Sequence, residues 1–246
     1  MSYINYGHTK MYYSLYKQNR KDIRVVIDLI NGIVAFVPEK MSEDKIYQAL
    51  SNKAQWIYTK VQELNEVNSN VSPKEFVSGE KLMYLGRQYR LKVYREVVDK
   101  ASFAFKQGRF VATVPSNWAQ EKVQYRLEAH LIEWYRKHGL KKIQERATYY
   151  ENILGVQAQS IQMKTQHKRW GTCTPEGNIY INWRIAMAPI KIIDYIVVHE
   201  LAHLRIPEHN AAFWKLVRSI LPDYEVSKEW LRVHGMELYC VGQEKT

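Results

Sequence analysis

The period of apolar and polar positions changes several times along the chain. Apolar runs from Ile23 to Leu29 and from Ile33 to Val37 flank Asn31-Gly32. That dipeptide accepts the positive φ of a type I′ turn, so the segment predicts a hairpin, closed by Pro38. Ser42, Glu43 and Asp44 then offer a capping oxygen and acidic groups to the positive end of a helix. Its apolar stripe runs Ile46, Leu50, Ile57, Val61, Leu64, and the polar stretch from Asn65 to Pro73 reads as a loop. From Phe76 to Val114 the period returns to two. Tyr89, Leu91 and Val93 alternate with Arg90 and Lys92, and Phe103–Phe105 and Phe110–Val114 flank Gln107-Gly108 as a second hairpin.

After Pro115 the pattern becomes helical. Asn117 is placed to cap a helix through Leu127, Leu131 and Trp134 to about His138, and a second helix follows to Leu154, stopped by Gly155. Ile161 and Met163 alternate like a strand, and Asn178 to Trp183 form another after a turn at Pro175-Glu176-Gly177. Pro189 opens a helix through Ile192, Ile193, Ile196, Val197, Leu201 and Leu204. The expectation is an α+β protein, with β-rich residues 1–116 packed against residues 117–246 and no long flexible linker between them.

Composition narrows the class. The 246 residues are 46% hydrophobic and 25% charged, which excludes wholesale disorder. No apolar run approaches the ~18 residues of a membrane span. Two cysteines, Cys173 and Cys240, exclude a disulfide framework and fit a reducing compartment. Met1 to Lys21 shows no apolar signal core, so a cytoplasmic location is expected. A formal charge of +11 favours an anionic partner or substrate, nucleic acid among them.

The chemistry concentrates in His199-Glu200-Leu201-Ala202-His203. Residues four apart lie about 40° apart on a helix and one turn along it. Both imidazoles therefore reach one ion, and Glu200 flanks the pair, where a carboxylate can take a proton from a metal-bound water. Two histidines and a glutamate in so apolar a helix are costly to desolvate unless a dication compensates them. A zinc hydrolase site has three protein ligands and one open position. Glu208 and His209 are the candidates for the third. Both lie in the turn before the helix at Ala211, and His209 is the better placed to aim its ring back. His167, Arg169, Tyr180 and Tyr195 are candidates for transition-state or substrate contacts. Asp194 and His234 are candidates to orient ligands. Trp170, Phe213, Trp214 and Trp230 read as core anchors, and Cys173 as a small buried residue.

His199 to Leu204, followed by His209-Asn210-Ala211-Ala212-Phe213-Trp214, resembles the YgjP-like metallopeptidase family, related to SprT-like and other small zincins such as the minigluzincins. Arg169-Trp170-Gly171-Thr172-Cys173 is similar to that family's Arg-Trp-Gly-Ser-Cys segment, with Thr for Ser. Asn178 to Trp183, Asp194 to Val198, Pro222, Trp230 and Leu231 also fit. Lys168 departs from the usual Ser, and Met163-Lys164 lacks the usual Arg. The resemblance implies a zincin-like catalytic domain with His199, His203 and His209 as ligands of one ion and Glu200 as base; zinc is the expected ion, with other divalent metals such as Ni, Mn or Co as alternatives. It also implies that Asn178 to Trp183 is a sheet edge able to hold an extended peptide.

Three functions are weighed. The first is peptide hydrolysis by a zinc-dependent enzyme. The second is a metal-dependent nucleotide phosphohydrolase of pyrophosphatase type using the same three histidines. The third is a non-catalytic, nucleic-acid-associated module, against which Glu200 argues, since structural zinc needs no base. The substrate is accordingly a polypeptide or a nucleotide.

Overall fold

The computed structural model describes residues 2–28, 32–68, 73–166 and 169–242. The chain divides into two compact units, Met1–Val71 and Ser72–Thr246.

The first unit is a four-stranded sheet with two helices. Its strands are β1 (Ser2–Tyr6), β2 (Thr9–Gln18), β3 (Arg24–Asp28) and β4 (Gly32–Pro38), in the order β1-β2-β4-β3. β2 and β4 run parallel, and the other pairs are antiparallel. Ile4, Met11, Ile33, Ala35 and Val37 pack against Ile46, Leu50, Ala54 and Ile57 of α1 (Glu43–Ser51) and α2 (Ala54–Asn68). The hairpin β1–β2 went unseen in the sequence, because its tyrosines obscure an alternation carried by Ile4, Met11 and Leu15. The expected single helix is two, separated by a tightened turn in which the Lys53 N–H donates to Leu50 O at 3.0 Å. Ser42 stands at the N-cap but makes no side-chain capping bond. β3 and β4 pair as expected, while Asn31 lies outside the described residues.

In the second unit β5 (Lys81–Tyr84), β6 (Arg87–Glu96), β7 (Ser102–Lys106) and β8 (Arg109–Pro115) form a sheet ordered β5-β6-β8-β7. Leu82, Leu91 and Phe110 point inward and share one core with α3 (Gln120–Leu154). Along the chain the division between the compact units falls at residues 71–72, and the change of period at 116–117 lies inside the second unit. A change of period marks a change of element, and a sheet and a helix can share one core.

Two further expectations are corrected. α3 is one helix of 35 residues capped by Ala119, not two capped by Asn117. Its mid-point Gly139 is a packing notch: a Cβ there would lie 2.7 Å from Ala186 Cβ and 2.9 Å from Met163 Cε. Gly155 ends the helix in the left-handed region, φ 63°, as the pattern predicts.

The second sheet, β9 (Ser160–Lys164), β10 (Gly171–Cys173) and β11 (Asn178–Asn182), has the order β10-β11-β9. β11 is thus central, and the expectation that Asn178 to Trp183 forms an edge is overturned. β9 takes the flank that reading had left open, pairing in parallel with β11. A 3-10 turn (Trp183–Met187) leads into α4 (Ile190–Ala202), α5 (Ala211–Ile220) and α6 (Tyr224–His234). The β5–β6 turn anchors that approach, with Leu85 and Gly86 N–H donating to the carbonyls of Ala186 (2.9 Å) and Met187 (3.0 Å). Among the described residues no helix is long and apolar enough to cross a membrane.

Gly139→Ala tests the notch. Helix propensity alone would favour alanine by about 1 kcal/mol. Overpacking against Ala186 and Met163 should instead destabilise by about 1–3 kcal/mol, read from the urea midpoint. A midpoint at or above wild type would remove the packing role.

Candidate metal centre

α4 is buried on almost every side, and its C-terminal turn delivers the polar groups. His199 lies in the last helical turn and His203 is the C-cap residue, still in αR geometry, so the four-residue spacing survives the end of the helix. The helix stops at Ala202, ahead of Pro207. The chain then turns tightly, with Leu204, Arg205 and Ile206 N–H bonded to carbonyls of Leu201 and Ala202. Asn210 starts α5 by accepting the Phe213 N–H at 3.0 Å. His209 sits between these two constraints and is carried back over α4. Its Nε2 lies 2.9 Å from Nε2 of His199 and 3.1 Å from Nε2 of His203. Glu208, the other candidate, is exposed and not part of the cluster.

The three rings form a cluster that could hold a metal ion. Ligand atoms about 2.0–2.1 Å from a tetrahedral ion lie about 3.3 Å from one another, close to the spacing found. His203 Nδ1 stands 3.2 Å from the Ile206 carbonyl, so it carries the proton and Nε2 presents a lone pair to the cluster. Burial, reinforced by the neighbouring imidazoles, pulls His199 down to about 3, and burial lowers His203 as well. Both rings are therefore neutral, as metal ligation requires. His199 Nδ1 is buried without a hydrogen-bond partner, an arrangement that costs about 1–3 kcal/mol unless the ring is held for another reason.

Glu200 lines the same cleft, about 730 Å³ in volume, together with Arg169, Thr172, Cys173, Thr174 and the three histidines. The carboxylate is 4% exposed. Burial pushes it up to about 8, opposed by the charge of Arg169 and the backbone N–H of Cys173. It lies flat against β10, where a Cβ on Gly171 would come within 2.7 Å of Glu200 Cδ. Only glycine leaves that room. This role was missed in the sequence, although Gly171 stood inside the Arg169–Cys173 motif. β10 is the edge strand beside the cleft. Cys173, read from the sequence as a small buried residue, packs half-buried against the core and lines the cleft.

The other candidates fall elsewhere. Arg169 is exposed in the cleft wall. Tyr195 is buried one turn before His199, its ring 5.8 Å from that imidazole and stacked on Tyr224, and it does not line the cleft. Tyr180, on β11, has the Lys164 ammonium 3.3 Å above its ring and also lies outside the cleft lining. His167 is outside the described residues. Asp194 binds Arg146 of α3 at 2.9 Å, and His234 binds Glu237 at 2.7 Å, so neither orients a ligand. Phe213 is a fully buried anchor, and Trp170, Trp214 and Trp230 pack on the core.

A buried carboxylate beside three converging imidazoles defines the class as a metal-dependent hydrolase. The family described as "YgjP-like, metallopeptidase domain" matches residues 21–234, and the chain belongs to it. Of the functions weighed from the sequence, the family is therefore that of the peptide hydrolase. No curated protein matches the sequence. Among solved structures, the metallopeptidase zymogen of Pyrococcus abyssi abylysin aligns at 20% identity, covering 38% of this chain and 93% of that chain, with a TM-score of 0.35.

Two outcomes follow from the geometry. In metal-free protein Glu200 has a folded-state value near 8 against an ordinary 4.5, so its contribution is complete below 4.5 and is lost as pH rises to about 8. Glu200→Gln removes that loss. Its stability advantage over wild type should grow by up to about 1.4 kcal/mol per pH unit across that window and stay level above it. Urea midpoints in the presence of chelator read it, and a pH-independent difference would refute the burial assignment. In Gly171→Ala it is Glu200 that must give way. Metal content should be kept while turnover falls by a factor of about 100 or more, and near-normal turnover would show that the carboxylate's seat is dispensable.

Proposed function

We propose that the chain is a zinc peptidase whose ion is held by Nε2 of His199, His203 and His209, with Glu200 as the proton-transfer residue and the catalytic machinery confined to the unit Ser72–Thr246. The observation that carries this reading is the convergence of three imidazoles, with His209 Nε2 lying 2.9 Å from Nε2 of His199 and 3.1 Å from Nε2 of His203. Neutral rings with lone pairs facing one another are unfavourable alone and well matched to a cation. An all-imidazole set suits zinc among the common divalent ions.

When bound, the ion supplies Lewis-acid chemistry, making a water acidic near neutral pH and polarising the scissile carbonyl. The chain's own residues do the rest. Glu200 accepts the proton of the attacking water and passes it to the departing amine. A carboxylate of high proton affinity, fixed against Gly171, is suited to both transfers. Arg169 favours the ionised form of Glu200 and so helps reset it. The cleft, walled by Thr172 and Cys173 of the β10 edge, the following Thr174, and Leu204 and Pro207, takes an extended chain rather than a globular surface.

Metal analysis with a substrate panel tests the reading. Wild type should carry about one zinc per chain and hydrolyse unfolded protein or peptides, leaving nucleoside triphosphates intact. His203→Ala should lose the metal. Glu200→Gln should keep the metal and lose turnover by about 100-fold or more. Protein that takes up no zinc after reconstitution, or that cleaves only triphosphates, would overturn it.

A further inference from the structure

The outer face of the β5–β8 sheet takes no part in the site above. Alternation buries Leu82, Leu91 and Phe110, which turns their neighbours out: Lys81, Arg90, Lys92, Lys106 and Arg109 are all exposed. The strand register sorts them into a row. Lys81 is the direct partner of Arg90, and Lys106 of Arg109. The parallel register that begins at Leu91↔Phe110 brings Arg90 alongside Arg109 one step earlier. A row Lys81–Arg90–Arg109–Lys106 therefore crosses all four strands, spanning about 14 Å at ~4.8 Å per strand. Lys92 and the exposed Tyr94 continue the face along β6.

No carboxylate among the described residues pairs with these cations, and on this face only Glu96, at the end of β6, is acidic. Like charges directly opposite one another destabilise a sheet, so the row is a cost to the fold that an anionic partner would reverse.

We infer that this face is an exosite holding an acidic stretch of the polypeptide substrate while an adjoining segment enters the cleft. The inference rests on the peptidase reading. Charge complementarity sets the sign of the occupant, and the family's chemistry makes the occupant a polypeptide, whose carboxylates travel with the scissile bond. The face and the cleft also belong to one scaffold, because the β5–β6 turn is bonded at Ala186 and Met187 to the entrance of α4. His199 lies ten residues beyond Pro189, about 15 Å along that helix. The row lies three residue pairs back from that turn, about 10 Å more, so an extended peptide of about eight residues spans the separation.

The test uses fluorescein-labelled octaglutamate and octaserine peptides, titrated by anisotropy against metal-free protein, so that binding is read independently of catalysis. Wild type should bind octaglutamate, weakening steeply between 50 and 500 mM salt, and ignore octaserine. Lys81→Gln/Arg90→Gln/Lys106→Gln/Arg109→Gln should bind about tenfold more weakly and melt no lower than wild type, since it relieves like-charge opposition. With loaded enzyme, a quenched peptide bearing an octaglutamate tail should show KM raised by a similar factor in the variant with kcat unchanged, and the tail-less peptide should be unaffected. Unaltered octaglutamate binding by the variant, salt-independent binding by wild type, or row-dependent binding of a single-stranded RNA oligonucleotide in preference to octaglutamate would each overturn the exosite. Row-dependent octaglutamate binding by an enzyme that cleaves no peptide would sink the peptidase reading and still support the acidic-peptide site.

Discussion

Desolvation of two imidazoles and a carboxylate at the C-terminal end of a largely apolar, buried helix is the constraint around which the second unit is arranged. Charged, those groups could not sit in α4, and His199 is accordingly held neutral and Glu200 close to neutrality. The surroundings are shaped to leave them facing one another and little else. Phe213 packs against all three imidazoles, with ring centroids 4.6–5.0 Å apart. On the other side Gly171 withdraws its own side chain altogether. The result is a site whose polar atoms have few satisfactory partners except a cation and a substrate, which is how a pre-organised site differs from a satisfied core.

Such a site works only if α4 cannot rotate. At about 100° per residue, Asp194 lies roughly 140° from His199 and 180° from His203 around the helix. Its pair with Arg146 of α3 thus holds the face opposite the histidines. The pair is partly buried and hydrogen-bonded through two guanidinium nitrogens, Nε and Nη2, so it indexes the rotation of α4 as well as attaching it. Gly139 lets α3 approach the turn that precedes α4, and the Leu85-Gly86 turn grips the same stretch from the sheet. Two of these contacts therefore converge on the few residues before α4, and the third grips the helix itself.

The convergence of the three histidines was legible in the sequence because its geometry is local. A four-residue spacing on a helix needs no tertiary information, and His209 is brought home by a short turn with a cap beside it. The hairpin at Gln107-Gly108 was legible for the same reason. What escaped was set by partners distant in sequence. Gly139 reads as a helix break until Met163 and Ala186 are beside it. β11 reads as an edge until β9 pairs with it. Gly171 is only one letter of a motif until Glu200 lies across it. The orienting roles considered for Asp194 and His234 failed likewise, since Arg146 and Glu237 claim those side chains.

The third histidine shows how little chain is needed to complete such a centre. Between His203 and His209 the backbone makes one tightened turn, passes Pro207, and enters α5 through the Asn210 cap. Proline restricts φ, and the cap fixes where the next helix starts, so His209 has little freedom in the direction it faces. Phe213, one turn into α5, is fully buried against the same rings and ties that helix to α4. Ligand geometry and core packing are thus two consequences of the same short connection. A change that loosened the packing of α5 would reach the cluster through His209 before it reached the fold.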